Sequence, residues 1–291
     1  MGLHVLRPVG RLAPSPSGAL HVGNVCAFGA AWLSTRAAGG RVLLRVEDVD
    51  RQRSRDVVAD GQRRDLAWLG LDWDEETPRQ SVRDYKPWID LLTEKLYRCR
   101  CTRKEAKGNY PGTCRAAGHT TGTWRWRLPP GDVVFVDRLR GVQRACPSDE
   151  FGDPLFRRVD GQYTYALANV VDDILDGVSE VVRGADLLNY SAVQVCVWEA
   201  FGATPPTWLH APLIVGTDGR KLSKSHGAVE IRHLRDAGWC AEDVWGLVLP
   251  WLGIPDCRDL REAVGRFAAE RLEFGPNPWG GLPLVARRMG G

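Results

Sequence analysis

A strand, a turn that cannot continue regular structure, a helix and a second strand follow one another at the start of this chain. Residues 10–13 lead into the turn Pro14-Ser15-Pro16-Ser17-Gly18, where prolines and glycine break any regular element. Residues 23–38 are predicted to be helical and to end at Gly39-Gly40. Residues 41–47, RVLLRVE, are short and rich in valine and leucine, as a buried parallel strand is. This order predicts an α/β fold with a doubly wound parallel sheet, in which ligands bind at the carboxyl ends of the strands.

Further helices and strands are predicted in the middle of the chain. Ser54 can cap a helix whose apolar side carries Val57, Val58, Leu66 and Leu69. A second helix is predicted over residues 82–97. Residues 124–128 and 133–137 resemble the two strands of a β-hairpin, joined across two prolines and a glycine.

The later part of the chain returns to alternating strands and helices. One strand is predicted to end at residues 181–184 and another to cover 209–215, with a helix between them that ends at Phe201. Residues after Ser225 are predicted to be helical. Residues 275–291 are rich in glycine and proline and are predicted to form a loose tail.

Four regions are expected from this pattern. Residues 1–98 would form the first half of a Rossmann-type domain, and residues 161–225 its second half. Between them, residues 99–160 would form an inserted module, because their first part is rich in glycine, threonine, cysteine and basic residues without the periodicity of a core. Residues 226–291 would form a helical region with the loose tail.

The composition is that of a globular protein, with 44% hydrophobic and 26% charged residues. The formal net charge of +3 permits a polyanionic partner without requiring one. No apolar run approaches the roughly 20 residues that cross a bilayer, and residues 1–6 lack the apolar stretch of a signal peptide. We therefore expect a cytoplasmic protein, whose eight cysteines are thiols or metal ligands rather than disulfides.

Residues 11–24, RLAPSPSGALHVGN, have the character of a phosphate-binding turn. The free N–H groups at a helix N-terminus attract phosphate oxygens, and Gly23 lets a nucleotide approach closely. His21 can donate a hydrogen bond to the same phosphates. Since a single histidine in a turn is more often structural, this segment alone does not establish a site.

Two more segments carry suitable charges. Lys221-Leu222-Ser223-Lys224-Ser225 offers two lysines and two hydroxyls to a leaving pyrophosphate, although a solvated basic turn has the same composition. Arg45-Val46-Glu47-Asp48-Val49-Asp50 lies at the end of the second predicted strand, where a carboxylate would face the ligand crevice and could hold an ammonium group. The alternative for this segment is an acidic loop that caps the next helix.

Together, in this order and at these separations, the three segments resemble the HIGH and KMSKS signatures of the class I aminoacyl-tRNA synthetases. The finer resemblance is to the glutamyl branch: GRLAPSPSGALHVGN is similar to its "RFAPSPTGxLHxG" opening and RVEDVD to its "RIEDTD". Three stretches within residues 163–186, YTYALA, VDD and VRGAD, are also similar to that branch. The resemblance covers about residues 10–230. Within the branch, the short paralogues carry an insertion similar to residues 99–101 followed by 110–114.

The resemblance implies a set of site residues. The glutamate pocket would be lined by Arg11, Leu12, Ala13, Pro14, Ser15, Glu47, Tyr165 and Arg183. Arg11 and Arg183 would supply the two cations that a substrate with two carboxylates needs, and Glu47 would accept the α-ammonium group. The catalytic residues would be His21, Asn24, Lys221 and Lys224, and ATP would contact His21, Gly23, Asn24 and Lys224.

Asn24 departs from the pattern of the family, because it replaces the last histidine of HIGH. An asparagine can still donate a hydrogen bond. We therefore expect activity to be retained, with the effect on rate left open.

Cys99, Cys101 and Cys114 have the compactness of a zinc site, with three soft ligands in a module too small for its own core. The resemblance makes Tyr110 the fourth ligand, whereas His119 is chemically the more ordinary choice, and unligated thiols are the alternative to both. The remaining cysteines are isolated in sequence, and most are expected in the core: Cys26, Cys146, Cys196, Cys240 and Cys257.

The activity implied by the resemblance is the formation of glutamyl-adenylate from glutamate and ATP, with Mg²⁺ accompanying the ATP. The glutamate would then pass to queuosine in the anticodon loop of tRNA(Asp), and the enzyme would act as a monomer away from membranes. A compact glutamyl-tRNA synthetase that charges a tRNA 3′ end is the first alternative. The short stretch after Ser225 disfavours it, because the full-length enzyme has a large anticodon-binding region.

Two other classes of function remain. A nucleotidyltransferase of the wider HIGH superfamily, acting on a small metabolite, would explain the phosphate site but neither RVEDVD nor the cysteine module. A catalytically inactive paralogue that binds RNA or protein is disfavoured because His21, Lys221 and Lys224 are all retained.

Overall fold

The computed structural model describes residues 7–106, 108–216, 219–222, 229–272 and 277–278. The strands in these residues are β1 (Val9–Leu12), β2 (Arg41–Leu44), β3 (Glu75–Glu76), β4 (Leu96–Cys99), β5 (Thr123–Trp126), β6 (Val133–Asp137), β7 (Gly141–Ala145), β8 (Leu155–Arg157), β9 (Glu180–Gly184), β10 (Thr207–Ala211), β11 (Ile214–Val215) and β12 (Asn277–Pro278). The α-helices are α1 (Val22–Ala37), α2 (Asp56–Trp68), α3 (Lys86–Leu91), α4 (Pro147–Glu150), α5 (Tyr165–Leu175), α6 (Tyr190–Ala200), α7 (Ile231–Asp236), α8 (Ala241–Val248) and α9 (Leu260–Val264).

The central sheet is built mainly from parallel strands, as the order of the first elements predicted, and β7 at one edge is antiparallel to β6. β2 pairs in parallel with β1 and β3, and β10 pairs in parallel with β9 and β6. The amide of Ser179, next to β9, donates to the carbonyl of Val9 at 3.0 Å, which places β1 beside β9. The carboxyl ends of β1, β2, β9 and β10 therefore meet on one edge, where ligands bind in sheets of this kind.

Helix α1 lies against this sheet and is apolar on most of its surface. It begins and ends within one residue of the predicted bounds, and Trp32 and Leu33 are completely buried. The predicted helices after Ser225 are present as α7, α8 and α9. In the described part of the chain, no helix combines the length and the apolar character that crossing a membrane requires. The predicted tail lies outside the described residues, apart from β12.

The expected capping of α2 by Ser54 was wrong. The Ser54 hydroxyl donates to the carbonyl of Asp50 at 2.8 Å, and α2 begins two residues later at Asp56. Val57 is 71% exposed, so its predicted place on the apolar side was also wrong. The hydroxyl closes the preceding turn. Leu66 is buried on α2 as predicted, whereas Val57 lies in the first turn of the helix on its solvent side.

The predicted helix over residues 82–97 is much shorter in the structure. Only α3 is α-helical there, flanked by short 3₁₀ turns, and Tyr97 lies in β4. β4 is extended because it pairs in an antiparallel manner with β5. The cause is a tertiary pairing that helical periodicity in the sequence does not reveal.

The predicted hairpin between residues 124–128 and 133–137 does not form. β5 lies between β4 and β8 in a separate antiparallel sheet, whereas β6 pairs with β7 and joins the central sheet beside β10. Pro129 and Pro130 lack backbone N–H groups and lie where the chain passes from one sheet to the other. The predicted strand over residues 209–215 is likewise divided, into β10 and β11.

Candidate active site

Two arginines from neighbouring parallel strands share one buried carboxylate. Arg11 is on β1 and Arg45 follows β2, and they reach the same Oδ1 atom of Asp173 on α5, at 3.1 and 2.7 Å. All three side chains are at most 4% exposed. Although burial raises it, the two guanidinium groups hold the pKa of Asp173 below its usual value. This shared anion fixes the orientation of Arg11 at the carboxyl edge of the sheet.

Glu47 is held just beyond the end of β2. Its Oε1 accepts hydrogen bonds from Arg45 at 3.1 Å and from the Asn169 amide at 2.7 Å. Asn169 is in turn held by Gln194, which donates to its Oδ1 at 2.8 Å. A carboxylate restrained in this way can accept hydrogen bonds from an ammonium group, as the resemblance implied.

Arg183, near the end of β9, is restrained at each of its nitrogens. Its Nε donates to His210 Nε2 at 3.2 Å, and one terminal nitrogen donates to the Tyr165 hydroxyl at 3.2 Å. The other terminal nitrogen donates to Ser191 Oγ at 2.7 Å and to the carbonyl of Leu187 at 3.2 Å. The guanidinium plane is thus defined by protein groups alone, on the same sheet edge as Arg11.

His210 and Asp137 form a fully buried pair behind Arg183. His210 Nδ1 lies 2.7 Å from Asp137 Oδ2. An ionised carboxylate can only accept and a guanidinium can only donate, so Nδ1 carries the proton and Nε2 accepts from Arg183. Burial lowers the pKa of His210, and Asp137 opposes that effect only in part. The neutral imidazole therefore acts as a hydrogen-bond acceptor for Arg183.

Sequence reasoning missed the groups that hold the predicted pocket residues in place. They are Arg45, Asp137, Asn169, Asp173, Ser191 and His210. A signal was available for two of them, since Arg45 and His210 are ionisable residues within short, otherwise apolar strand segments. A buried ionisable group requires a partner, but the sequence does not say which residue that partner is.

A cavity of about 510 Å³ adjoins the start of α1, and Ala13, Pro14, Ser15, His21 and Asn24 are among its lining residues. The backbone N–H of His21 donates to Asn24 Oδ1 at 3.0 Å, so Asn24 belongs to the cap of α1. The cavity combines a helix N-terminus with two polar side chains, an arrangement suited to phosphate groups.

Two further predicted residues beside this cavity contribute in other ways. A Cβ atom at Gly23 would lie 3.1 Å from the imidazole of His21, so the glycine gives that ring its space. Leu12 is fully buried in the core, so any contact with a ligand would come from its backbone.

Only the beginning of the predicted lysine loop is described. Lys221 forms an ion pair with Asp186, in the turn after β9, and Leu222 is buried in the core. These contacts bring the start of the loop to the carboxyl edge of the central sheet. Lys224 and the serines on either side of it lie outside the described residues.

The three predicted zinc ligands lie together. The Sγ atoms of Cys99, Cys101 and Cys114 are all within 4.8 Å of one another. The Tyr110 hydroxyl lies 3.3 Å from Cys99 Sγ and accepts a hydrogen bond from the Cys114 amide at 3.0 Å. His119 does not belong to this cluster. Three thiols and one phenol oxygen in so small a volume fit a four-coordinate zinc ion. Of the other cysteines, Cys26, Cys196 and Cys257 are buried, as expected for most of them.

The parallel sheet, with a cavity at the start of α1 and two arginines at the carboxyl edge, agrees with the catalytic domain of a class I tRNA synthetase. Residues 9–121 and 115–249 match the family described as tRNA synthetases class I (E and Q), catalytic domain. Among solved structures, the glutamate-tRNA synthetase of Elizabethkingia anophelis superposes with a TM-score of 0.83. The two sequences are 23% identical, and the superposition covers 94% of this chain and 68% of the Elizabethkingia chain.

Curated relatives identify the family within this class of synthetases. The glutamyl-Q tRNA(Asp) synthetase of Nitratidesulfovibrio vulgaris is 41% identical, over 92% of this chain and 94% of the relative. The protein of the same name from Deinococcus radiodurans is 42% identical, over 84% of this chain and 90% of the relative. That from Ectopseudomonas mendocina is 39% identical, over 96% of each chain. The chain belongs to the glutamyl-Q tRNA(Asp) synthetase family and is a ligase of the aminoacyl-tRNA synthetase type.

Proposed function

We propose that this enzyme activates glutamate as glutamyl-adenylate and transfers the glutamyl group to queuosine in the anticodon loop of tRNA(Asp). The observation that carries the proposal is the arrangement of Arg11, Glu47 and Arg183 on one sheet edge, each held by buried protein groups. Two cations and one anion match the charges of glutamate, which has two carboxylates and one ammonium group. The names of the relatives support the acceptor.

In the activation step, Glu47 would bind the α-ammonium group, and Arg11 and Arg183 would be the cations for the two carboxylates. An oxygen of the α-carboxylate attacks the α-phosphorus of ATP, a new P–O bond forms, and pyrophosphate leaves with the electrons of the broken bond. His21 and Asn24 would donate hydrogen bonds to the phosphates from the 510 Å³ cavity. Lys224 and Lys221 would stabilise the negative charge that develops on the leaving group, and Mg²⁺ would accompany the ATP.

In the transfer step, a hydroxyl of the cyclopentenediol of queuosine attacks the carbonyl carbon of the adenylate. An ester bond forms and AMP leaves with the electrons of the acyl–phosphate bond, while the hydroxyl proton passes to the departing phosphate or to solvent. The vicinal diol resembles the 2′,3′-diol of a ribose. The same acyl-transfer reaction would therefore act on a nucleotide inside the anticodon loop instead of the 3′-terminal ribose.

Zinc is proposed as a structural ion bound by Cys99, Cys101, Cys114 and Tyr110. The donor set and its compactness support this assignment. The ion would stabilise a segment without a core of its own and supply no step of the reaction. The monomeric state and the cytoplasmic location stay predictions.

The proposal is tested by incubating the enzyme with labelled glutamate, ATP and purified tRNA(Asp), either with or without queuosine. We expect label on the modified tRNA, on its isolated anticodon stem-loop, and on modified tRNA that lacks the 3′-terminal adenosine. No label is expected on tRNA(Asp) without queuosine. Charging of tRNA(Glu) at its 3′ end, with no glutamate on queuosine, would replace the proposal with the compact glutamyl-tRNA synthetase.

A further inference from the structure

A second cavity, of about 330 Å³, lies between the cysteine cluster and the glutamate pocket. Tyr110, whose hydroxyl contacts the cluster, lines it on one side, and Tyr165, whose hydroxyl accepts from Arg183, lines it on the other. None of the steps of glutamate activation described above uses this space. Its volume is within the range of sites that hold small organic groups.

Aromatic side chains form much of the wall. Phe151 and Tyr190 meet edge to face with ring centroids 5.4 Å apart, and Tyr190 and Tyr165 are 6.3 Å apart at a tilt of 34°. All three rings are only partly buried. A wall of this kind suits a planar heterocycle, because stacking of a nucleobase on an aromatic ring contributes substantially to RNA binding.

Another part of the wall comes from residues 99–114, the cysteine segment, which is held to the loop before β8. The Tyr110 amide donates to the carbonyl of Phe151 at 3.3 Å, and a Cβ atom at Gly152 would lie 2.1 Å from the Tyr110 carbonyl oxygen. The guanidinium of Arg125 stacks on the Tyr110 ring at 3.9 Å and donates to the carbonyl of Asp153 at 2.6 Å. The segment that carries the cluster therefore forms part of the cavity.

We propose that this cavity binds the nucleobase of the acceptor nucleotide, turned out of the RNA, while the glutamyl group is transferred. The base would contact the rings of both Phe151 and Tyr190, stacking on one and meeting the other edge to face, because the two rings are perpendicular. Because Tyr165 borders both the cavity and Arg183, a hydroxyl-bearing substituent of that base would point towards the activated glutamate. The inference rests on the proposed function and adds to it the place where the acceptor is bound. Taking a base out of its stack is a common route by which enzymes reach a modified or reactive position.

The test separates transfer from activation. Phe151→Ala removes one ring of the wall, Phe151→Leu keeps an apolar side chain without the ring, and Ala106→Trp fills the cavity from the cysteine segment. For each variant we expect transfer to queuosine-containing tRNA(Asp) to fall about tenfold or more at subsaturating RNA. Glutamate-dependent exchange of pyrophosphate into ATP, measured without RNA, should stay within twofold of the wild type. Val142→Trp is the matched control, since Val142 is exposed on β7 and does not line the cavity.

The outcomes distinguish the two proposals. If the wild type transfers glutamate to queuosine and Phe151→Leu and Ala106→Trp do so equally well, the cavity does not bind the base. If the wild type performs exchange but labels no queuosine, the proposed function fails, and the cavity proposal fails with it. Retained exchange of pyrophosphate into ATP also shows that a variant is folded. Should Phe151→Ala lose exchange, Phe151→Leu and Ala106→Trp decide the question.

Discussion

At the scale of single residues, the proposed binding of glutamate would depend on groups that do not line the pocket. Arg183 can meet a carboxylate only if its guanidinium plane is fixed, and His210 accepts from its Nε at 3.2 Å. Asp137 holds the proton on the far nitrogen of His210. In the proposed pocket, His210 would therefore be a positioning residue for Arg183.

His210→Asn and His210→Gln separate this positioning role from packing. Glutamine can place an amide oxygen where Nε2 lies, whereas asparagine reaches only the position of Nδ1. We expect His210→Asn to raise the KM for glutamate about tenfold, since a hydrogen bond to a charged group contributes about 1.5–3 kcal/mol. His210→Gln should restore most of the loss, and kcat should change less than twofold in both. Pyrophosphate exchange measures these constants, with exposed His233 changed to asparagine as control. Equal effects of the two variants would contradict the role.

The same histidine makes stability depend on pH. Because burial lowers the pKa of His210 in the folded protein, the unfolded chain binds a proton below about pH 6.5 that the native protein does not. Its contribution to stability is present above that pH and is lost as the pH falls. The difference in unfolding free energy between wild type and His210→Gln should therefore decrease by up to about 1.4 kcal/mol per pH unit below this value. Urea unfolding between pH 5 and 8 measures it, and a pH-independent difference would refute it.

At the scale of elements, the cysteine segment would connect the proposed zinc site to the catalytic domain. β4 brings Cys99 into the cluster, and the backbone of Tyr110 pairs with the loop before β8 at Gly152. An ion in the cluster would hold Tyr110 in that position. Loss of the ion should consequently loosen a wall of the 330 Å³ cavity while the central sheet stays folded.

Elemental analysis should find one zinc per chain, and Cys101→Ser should lose it, because thiolate ligands dominate the affinity of such sites. Tyr110→Phe should weaken zinc binding, measured by competition with a chelator. Cys240→Ser, at an exposed thiol outside the cluster, is the control. Unchanged affinity in Tyr110→Phe would remove Tyr110 from the ligand set. Metal-free wild-type protein with full transfer activity would eliminate the site.

At the scale of the whole molecule, the residues of the proposed glutamate pocket are held in place by protein groups. Arg11, Glu47 and Arg183 obtain their orientation from the central sheet and from helix α5, through buried contacts. We therefore predict glutamate-dependent pyrophosphate exchange in protein that has been treated with nuclease to remove bound RNA. Exchange that appears only after tRNA is added would show that the pocket is completed by the RNA.

Several features were determined by the sequence alone, because they depend on neighbours along the chain. The turn at residues 14–18 and the bounds of α1 follow from prolines, glycines and apolar periodicity within a few residues. The spacing of Cys99, Cys101 and Cys114 predicted a cluster for the same reason, since short chain segments keep these thiols close. The order of strands and helices along the chain is local information too, and it indicated the parallel sheet and the edge where a ligand site was predicted.

Other features were decided only by the tertiary structure, because they depend on which elements become neighbours in space. β5 and β6 are adjacent in sequence yet belong to different sheets. Asp173 meets Arg11 from 162 residues away and Asp137 meets His210 from 73 residues away. A buried ionisable group shows in the sequence that it needs a partner, but the choice of partner is made by packing.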